Sequence, residues 1–274
     1  MSFYEGRLAL VTGGSEGIGK AVAAQLVSRG CRVIIAARRT DVLEAARVEI
    51  GALDAITVDV TKWTQVRDAI NEMVEQHAPP DLLVTCAGLA HPGWLSETNQ
   101  PRTRDDEIIA EIDEMVATNL MGTIHAVKAT LGHMIDSRRP GTIVTTASLG
   151  GLFGLYGYTG YCASKFGVVG FSEALRREVA PRGISVTVLC PPNTRTPGLE
   201  RENRRKPWEV LAQEEKVAVL DPEAVAKKLL DALPRRPRIV VPSRDGLAAW
   251  LISRFTPSIL DRILKRPPTG ESRA

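Results

Sequence analysis

An apolar run from Leu8 to Val11 leads directly into Thr12-Gly13-Gly14-Ser15-Glu16-Gly17-Ile18-Gly19-Lys20, and Ala21, Ala24, Leu26 and Val27 follow at helical spacing. Strand, glycine-rich turn and helix in that order restrict the fold more than any other stretch of the chain. Glycine is needed there at three points: for a tight turn, for close approach of backbone amides to a pyrophosphate, and for close packing of helix on strand. The helix N-terminus adds N–H donors and the positive end of its dipole. Glycine triplets also occur in plain loops, so it is the strand-turn-helix setting that marks Gly13, Ser15, Gly17, Ile18 and Gly19 as dinucleotide-binding residues.

The same alternation continues along the chain. Arg32 to Arg39, Ala55 to Val60, Asp81 to Gly88 with its glycine turn, Gly141 to Ala147, Ile184 to Cys190 and Arg238 to Pro242 read as strands. Helical patterns lie between them over 40–50, 63–77, 105–138, around Tyr161, and over 199–219 and 222–233. Such an order implies a parallel sheet built by right-handed crossovers. The expected architecture is α/β: a single-domain, Rossmann-like, doubly wound parallel sheet of about seven strands with helices on both faces. The domain is expected over 1–242, with a lid over about 193–219 and an amphipathic extension over 243–274.

Where the second strand ends, a dinucleotide fold meets the adenosine ribose. An acidic residue there would favour NAD, but Arg38 and Arg39 stand in its place, and a guanidinium suits a 2′-phosphate. NADPH is therefore the expected cofactor, against the alternative that the two arginines are solvated charges opening the next helix. Asp59 and Val60, at the end of the third strand, border the adenine pocket, unless Asp59 only caps a helix beginning at Thr61.

Tyr161 and Lys165 lie four apart, which on a helix stacks a phenol and an ammonium on one face. A lysine charge ~5 Å from the phenol, at an effective dielectric of ~20, contributes roughly 3 kcal/mol and would lower a phenol pKa of ~10 by about two units. Tyr161 could then give a proton to a carbonyl oxygen. Ser148, at the carboxyl end of a strand, can hold the same oxygen. A lone Tyr-x-x-x-Lys is more often an exposed helix pair; Ser148, thirteen residues upstream, and the glycine-rich turn together favour a site. Asn119 sits on an apolar helix face, a costly place for an unbonded amide, and is expected to bend the helix and hold a water. His91, in the polar stretch 89–104 expected to form a loop over the site, reads as a solvated loop residue.

Composition removes other classes. A net charge of +3 is too small to indicate nucleic acid. Cys31, Cys86, Cys162 and Cys190 are widely separated, with no Cys-x-x-Cys and no nearby histidine, so no structural metal is expected and a reduced, cytoplasmic setting is. The first residues show no secretory signal pattern. From Gly246 to Lys265, Leu247, Trp250, Leu251, Phe255, Ile259, Ile263 and Leu264 recur at near-helical spacing among Arg254, Arg262 and Lys265, with Pro257 between. That segment is too charged to span a bilayer. It is suited either to peripheral contact with the cytoplasmic face of a membrane or to packing on its own or a partner subunit.

Taken together, Thr12-Gly13 to Gly19, Cys86-Ala87-Gly88, Asn119, Ser148, Tyr161, Lys165 and the Pro191 to Thr196 turn resemble the short-chain dehydrogenase/reductase family over about residues 6 to 242. The resemblance implies that Tyr161 protonates a carbonyl, Ser148 positions it, Lys165 also binds the nicotinamide ribose, and Asn119 completes a proton relay through water. It also implies cofactor contacts from Ala87, Gly88, Pro191, Thr194 and Thr196, besides Tyr161 and Lys165. Subunits would pair through the Asn119 and Tyr161 helices into a homodimer or homotetramer. Cys86 departs from the family's usual Asn before Ala-Gly. A narrower likeness, carried by 191–198, 202–207 and Leu152-Phe153-Gly154-Leu155-Tyr156-Gly157, is to the 3-ketodihydrosphingosine reductases, which reduce a long-chain 2-amino-3-ketone with NADPH at a membrane surface. Asn193 and Arg195 stand where that group commonly carries Asp. The expectation is NADPH-dependent reduction of a long-chain hydrophobic ketone. A steroid or other hydrophobic carbonyl, and a non-catalytic NADPH sensor on the same fold, are the alternatives.

Overall fold

Leu8 and Leu10 pack into one apolar cluster and Ala9 and Val11 into another, so the first strand is buried on both faces. A strand of that kind needs helices on either side. The computed structural model, which describes residues 3–95, 105–214 and 217–264, supplies them. The elements run β1 (Leu8–Thr12), α1 (Gly17–Ser28), β2 (Arg32–Ala37), α2 (Thr40–Ile50), β3 (Asp54–Thr57), α3 (Trp63–Gln76), β4 (Leu82–Thr85), α4 (Asp105–Met115), α5 (Gly122–Asp136), β5 (Thr142–Thr146), α6 (Thr159–Val179), β6 (Ser185–Leu189), α7 (Pro197–Asn203), α8 (Trp208–Glu214), α9 (Pro222–Ala232), β7 (Ile239–Val240), α10 (Arg244–Phe255) and α11 (Pro257–Ile263).

The seven strands form one parallel sheet in the order β3-β2-β1-β4-β5-β6-β7. Helices α1, α2 and α9 cover the face that carries Ala9 and Val11, while α3, α5 and α6 cover the face that carries Leu8 and Leu10. Each of these leucines, fully withdrawn from water, contributes about 1.5–3 kcal/mol. The doubly wound sheet predicted from the strand-helix alternation is thus present. Its order reverses between β1 and β4, which opens a crevice at the carboxyl ends of those strands.

Three departures from the expected elements have local causes. The single helix expected over 105–138 is interrupted by a π-helical turn, Val116–Met121, between α4 and α5. Asn119 lies in that turn, and the Thr123 hydroxyl donates to its carbonyl at 2.8 Å. The third strand stops at Thr57, before Val60, because Asp59 accepts from the Thr61 amide (3.0 Å) and hydroxyl (2.8 Å) and turns the chain. The helix expected over 199–219 is two short ones, α7 and α8, with Pro207 in the connection between them, whereas the break at Pro257 falls where expected, between α10 and α11. No helix among the described residues is long and apolar enough to cross a membrane.

Candidate active site

The glycine-rich turn is closely approached from three directions, by backbone at Gly13 and Gly19 and by the Thr196 side chain at Gly17. Gly13 adopts φ +68°, and a Cβ there would stand 2.5 Å from the Ala87 amide nitrogen. Gly17 adopts φ +57° and faces Thr196, whose Cγ2 would lie 3.0 Å from an added Cβ. Gly19 brings α1 onto the turn itself, with only 2.2 Å between an added Cβ and the Gly13 carbonyl oxygen. Ser15 is buried, and Ile18 packs against the core on the β1, α1 side.

Glu16 is the N-cap residue of α1, yet its side chain makes no capping bond. It is drawn outward instead, to Arg39 at 2.7 Å and to Arg201 of α7. The first-turn amides of α1 are thereby left without a side-chain acceptor, which suits an anion. Arg39 is accordingly committed to Glu16, a difference from its expected role. Arg38 is exposed and makes no ion pair among the described residues, so it keeps its guanidinium available. Partial burial acts to raise the Asp59 carboxyl, but the bonds from Thr61 and the charges of Arg38 and Lys62 hold it below the usual range. Because α3 begins only at Trp63, after Lys62, Asp59 serves the turn at Thr61 and does not cap that helix as expected. Val60 is buried, and its carbonyl meets His125 Nδ1 at 2.9 Å, which ties the β3–α3 connection to α5.

At the carboxyl ends of β4 and β5 the other candidate residues converge. An added Cβ on Gly88 would lie 3.0 Å from Asn119 Oδ1 and 3.3 Å from Lys165 Nζ, so the three residues share one small volume. Lys165 donates to the Thr146 carbonyl at 3.0 Å and sits 5.7 Å from the Tyr161 ring centre. Ser148 accepts from the Gly150 amide at 3.2 Å, and its hydroxyl lies close enough to the Tyr161 phenol to favour the ionised form. The Asn119 amide bonds outward: Oδ1 accepts from the Leu89 amide at 2.8 Å, and Nδ2 donates to the Leu89 carbonyl and to Ser164 Oγ, each at 2.9 Å. Pro191 accepts from the Leu149 amide, the Thr194 hydroxyl donates to the Pro192 carbonyl, and Thr196 caps α7 through the Leu199 amide at 3.1 Å.

Burial governs the two titratable groups. It pushes the Tyr161 phenol up, against the pull of Ser148, and Glu202 adds to the rise. Burial also lowers Lys165 to about 8, with Cys86 and Cys190 acting the other way. The pairwise expectation that Lys165 would bring the phenol down is therefore reversed, because that reading omitted the desolvation of both groups. A prediction follows for the free protein. Lys165 is charged below about pH 8 and neutral above it, so kcat/KM should be flat below that point and fall above it by about tenfold per pH unit. A profile flat to pH 10 would remove the need for a charged Lys165.

Several neighbours escaped the sequence reading. Ser164 is fully buried and links the Asn119 amide to the Tyr161 carbonyl, to which it donates at 2.7 Å. His91 is not solvated. Its Nδ1 meets Arg205 Nη1 at 2.8 Å, and because arginine only donates, Nδ1 accepts and Nε2 turns to Glu114 at 2.8 Å. Tyr158, Asn193, Glu202, Lys206 and Glu214 form a mostly buried set around α7 and α8; Glu202 and Lys206 are four apart, but Tyr158 is 44 residues from Glu202 and 56 from Glu214, too far to be linked by spacing. Residues 96–104 of the expected loop and 215–216 of the lid lie outside the described residues.

The short chain dehydrogenase family model matches residues 7–207, and the chain belongs to that oxidoreductase family. It is 36% identical over 230 residues to the 3-ketodihydrosphingosine reductase of Bos taurus, a match covering 81% of this chain and 66% of that protein. It is 36% identical over 203 residues to carbonyl reductase family member 4 of Xenopus tropicalis, covering 73% of this chain and 82% of that one. A short chain dehydrogenase/reductase from Burkholderia phymatum, solved in complex with NAD, shares the fold at a TM-score of 0.79 and 24% identity, covering 100% of each chain. The chain spans just under two thirds of the bovine relative's length, at 66%.

Proposed function

We propose that this protein is an NADPH-dependent reductase of a long-chain hydrophobic ketone, with 3-ketodihydrosphingosine, reduced to dihydrosphingosine, as its substrate. The observation that carries this reading is the convergence of Asn119, Ser148, Tyr161 and Lys165 on one volume beside Gly88 and the glycine-rich turn. Likeness to the sphingoid-base reductases supports the substrate. A cavity of about 440 Å³ lies beside α7 and α8, its walls mixing Trp94, Ile112 and Trp208 with Glu111, Arg205 and Lys206, so it offers room for a chain that carries a polar end.

The turn at Gly13 to Gly19, Ala87, Gly88, Arg38, Lys165 and the Pro191 to Thr196 turn would hold the dinucleotide. When bound, it supplies a hydride for the carbonyl carbon. Tyr161 gives its proton to the carbonyl oxygen, and Ser148 holds that oxygen within reach of the phenol. The Lys165 ammonium favours the phenolate that remains, and Asn119, bonded to Leu89 and Ser164, fixes the π-turn beside that lysine. Incubation with NADPH and 3-ketosphinganine should yield dihydrosphingosine by mass spectrometry, matched to cofactor oxidised. Oxidation without that product would move the substrate elsewhere.

Arg38 is the residue on which the cofactor preference rests. Its charge-assisted bonds to a 2′-phosphate are worth roughly 10- to 100-fold in affinity. Arg38→Ala should weaken NADPH by that factor in a fluorescence titration and leave NADH within about threefold; equal losses for both would refute the assignment.

Two surfaces extend the proposal. Leu247, Leu251, Phe255, Ile259 and Ile263 recur every four residues along α10 and α11 and are all exposed, beside Arg254 and Arg262. A lipid surface suits such a stripe and would deliver the substrate. Liposome flotation should carry the protein with anionic vesicles, and recovery wholly in the soluble fraction would count against it. Exposed Ile109, Met121 and Phe166 on the α4 to α6 face support pairing of subunits there; a monomer mass by light scattering would exclude it.

A further inference from the structure

We propose that Glu202 is the acceptor for an ammonium group carried beside the substrate's carbonyl, so that the lid selects a 2-amino ketone over a plain one. The inference rests on the ketone-reductase reading above and names what the same site recognises.

Thr196 caps α7 and Pro197 opens it, which places Glu202 in the last turn of that helix. Lys206 follows in the connection to α8, and α8 ends on Glu214. The Lys206 side chain is 0% exposed, 2.5 Å from Glu214 Oε2 and 3.1 Å from Glu202 Oε1. Its third bond goes to Asn203 at 2.6 Å. An ammonium therefore already fits between these carboxylates.

The donors present do not saturate the acceptors. Tyr158 lies 2.5 Å from Glu202 Oε1 and 2.9 Å from Glu214 Oε1. A phenol carries one O–H, so it serves only one of them at a time. Glu214 has Lys206 and Asn193, the latter at 2.8 Å, on its other oxygen. Glu202 Oε2 has no hydrogen bond among the described residues. Glu202 Oε2 is not a buried unpaired atom and so stands open to solvent and to a ligand, and two carboxylates against one lysine leave a net negative charge that attracts one further cation.

The place is right for the reaction. The Tyr158 and Tyr161 rings are 5.9 Å apart, and the Glu202 carboxylate is close enough to push the Tyr161 phenol up. A cation seated on Glu202 removes that push, so amine recognition and acid strength are coupled. Asn193 and Arg195 do not compete for the role. Asn193 orients Glu214, whereas Arg195 pairs with Asp221 at 3.1 Å on the surface, where both side chains are exposed.

The test compares kcat/KM for 3-ketosphinganine and for a matched long-chain ketone lacking the amine, in wild type and Glu202→Gln, with NADPH and mixed micelles. Wild type should prefer the amine by roughly 10- to 100-fold, and Glu202→Gln should collapse that ratio by about tenfold or more. A second readout uses wild type alone and does not depend on the variant's folding. A long-chain primary amine should inhibit competitively, and its N-acetyl derivative should not. Equal losses of the variant on both ketones, or equal inhibition by amine and N-acetyl amine, would overturn the role of Glu202. Turnover of both ketones by wild type without preference would overturn it too, while leaving the reductase standing; turnover of neither would overturn both readings.

Discussion

Tyr161→Phe is expected to lower turnover by about 10³-fold while leaving NADPH affinity within a factor of about three. The substitution removes one oxygen and keeps the ring. That ring packs 5.9 Å from Tyr158 and 5.7 Å from the Lys165 ammonium, and both contacts survive in phenylalanine. Ser148 keeps its bond from the Gly150 amide, so the loop after β5 has no cause to move. What is lost is the proton donor to the carbonyl oxygen. Steady-state rates and a fluorescence titration of NADPH separate the two effects. Near-normal turnover would remove Tyr161 as the acid, and loss of cofactor binding would show that the phenol is chiefly structural.

Gly19→Ala is the other substitution with a large expected effect. Its Cβ would stand 2.2 Å from the Gly13 carbonyl oxygen, 2.8 Å from the Gly13 carbonyl carbon and 3.0 Å from Cys86 Cβ. Two of these atoms are backbone, so relief requires α1 to move away from the turn that would hold the phosphates. A cost of about 3 kcal/mol follows, a fall of roughly 6–12 °C in Tm for a chain of this size, with loss of dinucleotide binding. Gly132 on α5 is the internal control. An added Cβ there meets nothing within 4 Å, and alanine should be neutral or slightly stabilising, by up to about 1 kcal/mol. Similar melting curves for the two variants would contradict this account of the turn.

The parts of the molecule that sequence revealed are those with local causes. The glycine-rich turn is legible because positive φ and backbone contact admit no other residue, and β1 is legible because both its faces are apolar. The Tyr161 and Lys165 pair follows from helical spacing alone. What was not legible depends on which distant chain ends up alongside. Arg39 looked as free as Arg38 until α7 and the turn brought Glu16 to it. His91 looked solvated, yet α4 and the segment after α7 reach it through Glu114 and Arg205. The lid network joins Tyr158 to Glu202 and Glu214 across 44 and 56 residues, a distance over which no periodicity carries information. The sign of the Tyr161 shift was missed for a different reason: a pair of charges can be read from spacing, whereas burial cannot.

The central claim is that Tyr161 is the acid of an NADPH-dependent ketone reductase. The most direct test is to mix purified protein with NADPH and 3-ketosphinganine in mixed micelles, follow dihydrosphingosine by mass spectrometry, and run Tyr161→Phe and an NADH reaction beside it. The account predicts alcohol formed in step with NADPH consumed by wild type, a much slower reaction with NADH, and almost none with the variant. Alcohol formed at equal rates by wild type and Tyr161→Phe, or NADPH bound tightly with no ketone reduced, would contradict it.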